Sequence, residues 1–306
     1  TLTSGPGAST WTNTGVLTNS GTVHANGGTI NATAGMAGTT GTALISGAGT
    51  LQIGAASSVG TMTHNGTAGS ALALGANNLM NDNLRTGGLL PVQEPYTALG
   101  YGYVGSHGPT SISPGLLTIT GANAIVDWVV VELRSGIQPS NVLASRPALL
   151  QRDGDVVSSD GQPTLHFNMP AANYHVAVRH RNHIGVMTAA SMALGGTSVL
   201  VDLTLPSTAI YGTAARSNVN GTMALWPGDA TRNGSIAYTG TGNDRDPILQ
   251  GIGGSLPTAV VSNVYSPLDI NLDGSVRYTG AGNDRDIILQ TIGGSVPTAV
   301  RQQQLP

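Results

Sequence analysis

The sequence predicts a mainly β chain in three parts, closed at its C-terminal end by a duplicated loop-helix unit. Three observations carry this. Apolar residues in the first 79 positions recur at roughly six to eight residues, or twice that, between Gly and Asn turns. A long β-branched run, Ala124 to Leu133, opens a stretch of alternating segments separated by turn residues. The segment from Asp229 to Val260 returns at Asp269 to Val300, an offset of 40 with 22 of 32 positions identical, and an internal repeat that close is one structural unit used twice.

From Thr1 to about Leu79 the chain is nearly uncharged. The positions Leu17, Val23, Ile30, Leu44, Leu51, Val59, Leu72 and Leu79 mark short strands between turns, a pattern expected of a β-solenoid over residues 1–79. Such a fold hides each coil's apolar face against the next, and the N-terminal coil carries no evident cap.

From residue 80 to 222 the expectation is an antiparallel β-sandwich of the prealbumin or immunoglobulin kind. The run from Ala124 to Leu133 would place Val126, Trp128, Val130 and Glu132 on one face. Ile125, Asp127, Val129, Val131 and Leu133 would take the other. Further strands are expected at Leu116 to Thr120, Ala148 to Gln151, Thr164 to Asn168, Tyr174 to His180, Ser191 to Leu194 and Val199 to Leu205. His175, His180 and His183 could suit a transition metal. His175 and His180 are an odd number of residues apart, however, and so fall on opposite strand faces. The histidines and nearby arginines are therefore read as partners of Asp127, Glu132, Asp153 or Asp155.

Residues 223–306 hold the repeats. Seven of the fifteen carboxylates of the chain lie there at matching places, in a protein only 9% charged. Asp269, Asn271 and Asp273 occupy positions 1, 3 and 5 of an EF-hand type loop, with Gly274 at 6 and the Ser275 carbonyl at 7. Alternate residues of such a curled loop turn hard oxygens inward, as Ca2+ requires. The first copy has Asp229, Thr231, Asn233 and Ser235 at positions 1, 3, 5 and 7. With fewer carboxylates, it is expected to bind more weakly. At position 12 both copies carry glycine, Gly240 and Gly280. The missing carboxylate is therefore sought in Asn243-Asp244-Arg245-Asp246 and Asn283-Asp284-Arg285-Asp286, where Asp244 or Asp246, and Asp284 or Asp286, would sit near a helix start. Apolar residues at helical spacing follow, and Gly253-Gly254 and Gly293-Gly294 end the helices.

Several resemblances rest on these residues. The tandem loop-helix arrangement resembles the dockerin fold. The run GQPTLHFNMPAANYHVAVRHRN is similar to prealbumin-like or carboxypeptidase-regulatory sandwiches. The series LMNDNLRTGGLLPVQEPYTALGY, GANAIVDWVVVELRSG, ALLQRDGDVV, NYHVAVRHRNHIGVMTA and ALWPGDATRNGSIAYTGTGNDRD resembles the C-terminal region of large secreted adhesin or hemagglutinin-like surface proteins of Bacteroidetes, over about Leu79 to Pro306. That resemblance implies a calcium-containing module of a large extracellular protein and brings no defined activity.

Composition narrows the function classes. All twelve basic residues are Arg, so no Walker-type loop or Schiff-base lysine is available. No G-x-S-x-G, no H-E-x-x-H and no Cys nucleophile is present. A net charge of -3 gives no nucleic-acid footprint, and no stretch approaches the ~20 apolar residues of a membrane span. The chain opens TLTSGPGAST, which suggests a mature or excised piece of a longer precursor. The expected protein is thus not an enzyme but a calcium-stabilised, secreted or cell-surface structural or adhesive protein. Its partners would be the upstream part of a precursor, neighbouring copies of itself, or a glycan or cell-surface ligand. A subunit that polymerises into an extracellular fibre or sheath is the alternative, and an accessory module of a carbohydrate-active enzyme is a further one.

Overall fold

The computed structural model describes residues 79–105, 108 and 110–306 and, before them, the backbone of nine short strands between residues 2 and 65. Val59 and Leu72, expected to mark strands, lie outside the described residues. The chain falls into two compact units, Thr1–Gly69 and Ser70–Pro306. The whole is mainly β.

Among the described strands of the first unit every ladder is parallel. Leu2–Ser4, Thr22–Asn26, Thr42–Ser46 and Thr61–Asn65 form one sheet, with Leu2 in register with Val23, Val23 with Ala43 and Ala43 with Met62. A second sheet aligns Thr10–Asn13, Thr29–Ala32 and Thr50–Ile53, and a third pairs Leu17–Thr18 with Met36–Ala37. Partners in register are thus about twenty residues apart in sequence. Parallel neighbours cannot be joined by a tight hairpin; here the intervening chain contributes strands to the other ladders.

The second unit is built around one open antiparallel sheet. Its strands run in the order Val156–Val157, Val142–Gln151, Ile125–Ser135, Ala172–Arg179 and Val186–Met187, with Met192–Leu194 also paired to Ala172–Arg179. The central strand Ile125–Ser135 is buried on both faces. Trp128 and Val130 pack with Leu84, Leu90, Tyr96 and Ile112, while Val129, Val131 and Leu133 pack with Ala148, Tyr174 and Val176. The simple alternation fails at one point: a register shift between Ile125 and Asp127 puts Ile125 in the same core as Trp128, not opposite it. A bulge inserts one residue and reverses the facing of what precedes it.

Three expected strands are absent. Leu116 to Thr120 falls largely in a 3-10 turn, Pro114–Thr118, because Pro114 presets a helical φ at its first position. Thr164 to Asn168 joins no ladder, although Leu165 and Phe167 still pack on the sheet. Val199 to Leu205 turns locally instead: the Asp202 carboxylate accepts from the Thr204 amide (2.8 Å) and hydroxyl (2.6 Å), satisfying groups a ladder would have used.

The repeats interlock. Ser235–Ala237, which follows the first loop, pairs with Val300–Gln302, which follows the second helix; Ser275–Arg277 pairs reciprocally with Val260–Ser262. The Thr239 hydroxyl donates to the Pro297 carbonyl (2.9 Å) and the Thr279 hydroxyl to the Pro257 carbonyl (2.8 Å). Neither copy completes its own ladder, so the pair folds as one body. Helices Arg245–Gly251 and Asp284–Thr291 bury Ile248, Ile252, Ile288 and Ile292 between them with Ile236, Ile270 and Val276. Each helix ends as the glycine pairs predict, with the Gly254 amide reaching the Leu249 carbonyl and the Gly294 amide the Leu289 carbonyl, both 2.8 Å. Ile184, from the sheet region, lies in the repeats' core, and the expected boundary at 222/223 runs through this shared unit.

Candidate metal centre

The two repeat loops have the same backbone shape. Position 4 and position 6 are left-handed in both, at Arg232 (φ 60°) and Gly234 (φ 78°) and at Leu272 (φ 60°) and Gly274 (φ 82°). These two reversals curl each loop around its first carboxylate. The Asp229 side chain accepts from the Asn233 and Gly234 amides, each 3.0 Å. The Asp269 side chain accepts from those of Asp273 (3.1 Å) and Gly274 (2.9 Å).

A second carboxylate closes each loop from the helix start. Asp244 accepts from the Thr231 amide (3.0 Å), the Thr231 hydroxyl (2.9 Å) and the Ala237 amide (2.9 Å). Asp284 accepts from the amides of Ile270 (2.7 Å), Asn271 (3.3 Å) and Arg277 (2.8 Å). The two members of the Asp-Arg-Asp segments thus separate. Asp244 and Asp284 are sealed inside, whereas Asp246 and Asp286 stay partly exposed, held by Arg245 and Asn243 and by Arg285 and Asn283. The Asn243 and Asn283 side chains each accept the amide of the aspartate three residues on, at 2.9 Å, which caps the helix.

Each loop therefore gathers two buried carboxylates. Asp244, Asp269 and Asp284 have no exposed surface and Asp229 has 5%, and none of the four forms an ion pair with a described residue. Burial pushes Asp244 and Asp269 up to about 6 and Asp284 up to about 7, against the amides that donate to them and, at Asp269, against the charge of Arg181; it raises Asp229 as well. Asp246 goes the other way, held below the usual carboxylate range by the Asn243 amide and by Arg245. Among the described residues no three His, Cys, Asp or Glu side chains converge, so any further oxygens would come from hydroxyl, amide and backbone groups. Thr231 and Asn233 lie beside the first pair, and Asn271 and Asp273 beside the second. Asp273 is also tied to Arg277. Ser235 takes a hydrogen bond from Gln302 (3.1 Å) through its hydroxyl; the Ser275 amide donates to Asp273 (2.8 Å).

The histidines take structural partners. His175 bonds the Thr188 carbonyl (2.9 Å), and His180 and Arg181 both meet Asp127 while Arg179 meets Glu132. Asp153 and Asp155, expected to share that role, enter no ion pair among the described residues.

One residue of consequence carried no sequence signal. Asn182, fully buried, accepts the Gly228 and Asp229 amides (3.0 and 3.1 Å) through its backbone carbonyl. Its side-chain amide donates to the carbonyls of Pro267 (3.1 Å) and Asp269 (2.6 Å). It therefore touches position 1 of both loops.

No family model, no curated protein and no solved structure matches this chain.

Proposed function

We propose that this chain is a non-catalytic structural or adhesive module of a secreted or cell-surface protein, stabilised by Ca2+ held in its two C-terminal loops. The observation that carries the reading is the pair of buried carboxylates in each loop, Asp229 with Asp244 and Asp269 with Asp284, none of which forms an ion pair among the described residues. Burying two carboxylates together without an ion pair is costly, and a hard divalent cation offsets it. Thr231, Asn233 and the Ser235 carbonyl in the first loop, and Asn271 and the Ser275 carbonyl in the second, would add to the set oxygens of the kind Ca2+ takes, with Asp273 joining on release from Arg277. Asp246 and Asp286, engaged at the helix caps, would stand outside it. The dockerin-like reading of the repeats draws support from their reciprocal strands, and the solenoid reading of residues 1–79 from parallel ladders spaced by about twenty residues. The resemblance to adhesin-like surface proteins would imply an extracellular setting, where calcium is millimolar.

Thermal unfolding in calcium and in chelator tests this. Calcium should raise the midpoint of the native chain, and Asp269→Ala with Asp284→Ala should remove most of that rise while leaving the chelated midpoint in place. A native chain that melts identically with and without calcium would falsify the proposal.

A fibre subunit is the second reading. Among the described residues Leu2–Ser4 and Thr61–Asn65 are the outer strands of one parallel ladder, and an outer strand left unpaired would be a template for a further one. Copies stacked head to tail through such edges would not close, and so would form a filament. Electron microscopy of the purified chain in calcium separates the two: regular filaments favour the fibre, whereas monodisperse particles that bind a glycan array favour the adhesive module.

A further inference from the structure

We infer that Asn182 couples the two loops, so that calcium uptake at one strengthens uptake at the other. The inference rests on the calcium reading of the repeats and adds to it a positioning residue that neither repeat contains. The geometry is specific. The backbone carbonyl of Asn182 holds the amide of Asp229, position 1 of the first loop, and its side-chain nitrogen holds the carbonyl of Asp269, position 1 of the second. One residue thus spans both loop entrances.

The link is stiff at each point. The Asn182 side-chain nitrogen faces two carbonyls, so its oxygen must be the atom facing His183 Nδ1 at 2.8 Å. An amide oxygen only accepts; His183 therefore carries its proton on Nδ1. That leaves His183 Nε2 buried and without a partner, and the ring fixes the Asn182 rotamer. Arg181, the residue before, is locked to Asp127 and stacks over Tyr265 with 4.1 Å between guanidinium and ring centroid. Asn182 consequently cannot follow one loop without bearing on the other. A cation drawing the Asp229 carboxylate inward shifts the amide that Asn182 holds, and the same rigid residue sets the Asp269 carbonyl. The physical basis is a contiguous buried network joining two sites.

Calorimetric titration of the full calcium-free chain with Ca2+ tests this in a four-protein cycle. Asp244→Asn disables the first loop. In the native background it should weaken calcium binding at the second loop by about ten-fold, within the usual range of couplings between sites. In the Asn182→Ala background, which keeps the backbone carbonyl but loses the side-chain arm, the same Asp244→Asn change should leave the second loop's affinity unaltered. A merely structural Asn182 would lower both affinities and keep the dependence between them. The coupling is refuted, with the calcium reading intact, if Asp244→Asn leaves the second loop untouched in the native background, or if the dependence survives Asn182→Ala. No calcium binding by the native chain refutes both. Should Asn182→Ala fail to fold by circular dichroism, Asn182→Ser, which likewise lacks the nitrogen that reaches the Asp269 carbonyl, takes its place in the cycle with the same expected and refuting outcomes.

Discussion

The Tyr265 hydroxyl, in the link between the repeats, donates a 2.8 Å hydrogen bond to Asp127, in the central strand of the sheet. Asp127 has no exposed surface, and the same carboxylate is paired with the buried Arg181 and bonded to His180 at 3.0 Å. Sheet and repeats are therefore joined by charge as well as by apolar packing. Removing one member of a buried pair leaves the other charged and uncompensated, at about 3–5 kcal/mol. Losing one hydrogen bond to the carboxylate while the pair survives costs about 1–2 kcal/mol. Urea unfolding at fixed calcium should rank Asp127→Ala well below Tyr265→Phe in stability. Equal losses would mean that the ion pair contributes little to holding the unit together.

Much of the repeat was legible because its determinants are local. The loop glycines, the helix starts at Asp244 and Asp284 and the paired glycine stops all act within a few residues of themselves. What the sequence could not distinguish was which aspartate of each Asp-Arg-Asp faces the loop, since two residues on a helix differ by more than half a turn and the phase depends on the cap. Long-range features were invisible for a plainer reason. The hydrogen bonds from the Asn182 side chain reach residues 85 and 87 positions away, and nothing near Asn182 signals them. Ile125 was misplaced by a bulge that alternation cannot reveal. Thr164 to Asn168 alternates like a strand but joins no ladder, and β-propensity alone does not make a sheet.

The carboxylate geometry separates two pairs that look alike in sequence. Asp244→Asn and Asp284→Asn should each abolish calcium binding at their own loop, because each removes an inward-facing charge. Asp246→Asn and Asp286→Asn remove partly exposed groups engaged with arginines and helix caps, and should cost a few tenths of a kcal/mol in stability, the usual scale of such surface pairs. Calcium titration should find both sites retained in these two. If Asp246→Asn or Asp286→Asn eliminated a site instead, the inward assignment of Asp244 and Asp284 would be mistaken.

Acid should loosen the join between sheet and repeats. Burial lowers His180 to about 4 and holds His183 well below the usual histidine range, the latter helped by the neighbouring His180 and Arg181. Asp127 does not reverse this, because Arg181 already neutralises it. At these two histidines the unfolded chain thus binds more protons than the folded one between about pH 6.5 and pH 4, and their contribution to stability is lost as pH falls through that window. For His180 alone the loss is about 2 kcal/mol by pH 5. Comparing the native chain with a His180→Gln, His183→Gln chain in chelator cancels the opposing titration of the loop carboxylates. From pH 7.5 to pH 5 the native chain should lose more unfolding free energy, or gain less, than the substituted chain; parallel pH profiles would show that the histidines do not titrate on unfolding.

The two copies are not interchangeable, and Gly251 shows why. It matches Thr291 in the second helix, yet a Cβ added at Gly251 would meet the Leu268 Cδ1 at 2.4 Å. Leu268 lies where the chain leaves the first repeat for the second, and it packs on the helices' shared core. Thr291 follows no such crossing; its carbonyl instead accepts from Arg301 at 3.1 Å. Restoring the symmetry by Gly251→Thr should therefore destabilise the chain by about 1–3 kcal/mol, the usual cost of overpacking. Threonine is a better helix former than glycine by a few tenths of a kcal/mol, so propensity alone predicts the opposite sign. Gly251→Thr combined with Leu268→Ala should recover part of the loss if the clash is its cause. A Gly251→Thr chain as stable as the native one would show that Leu268 moves aside freely, and that the asymmetry of the repeats has no basis in their packing.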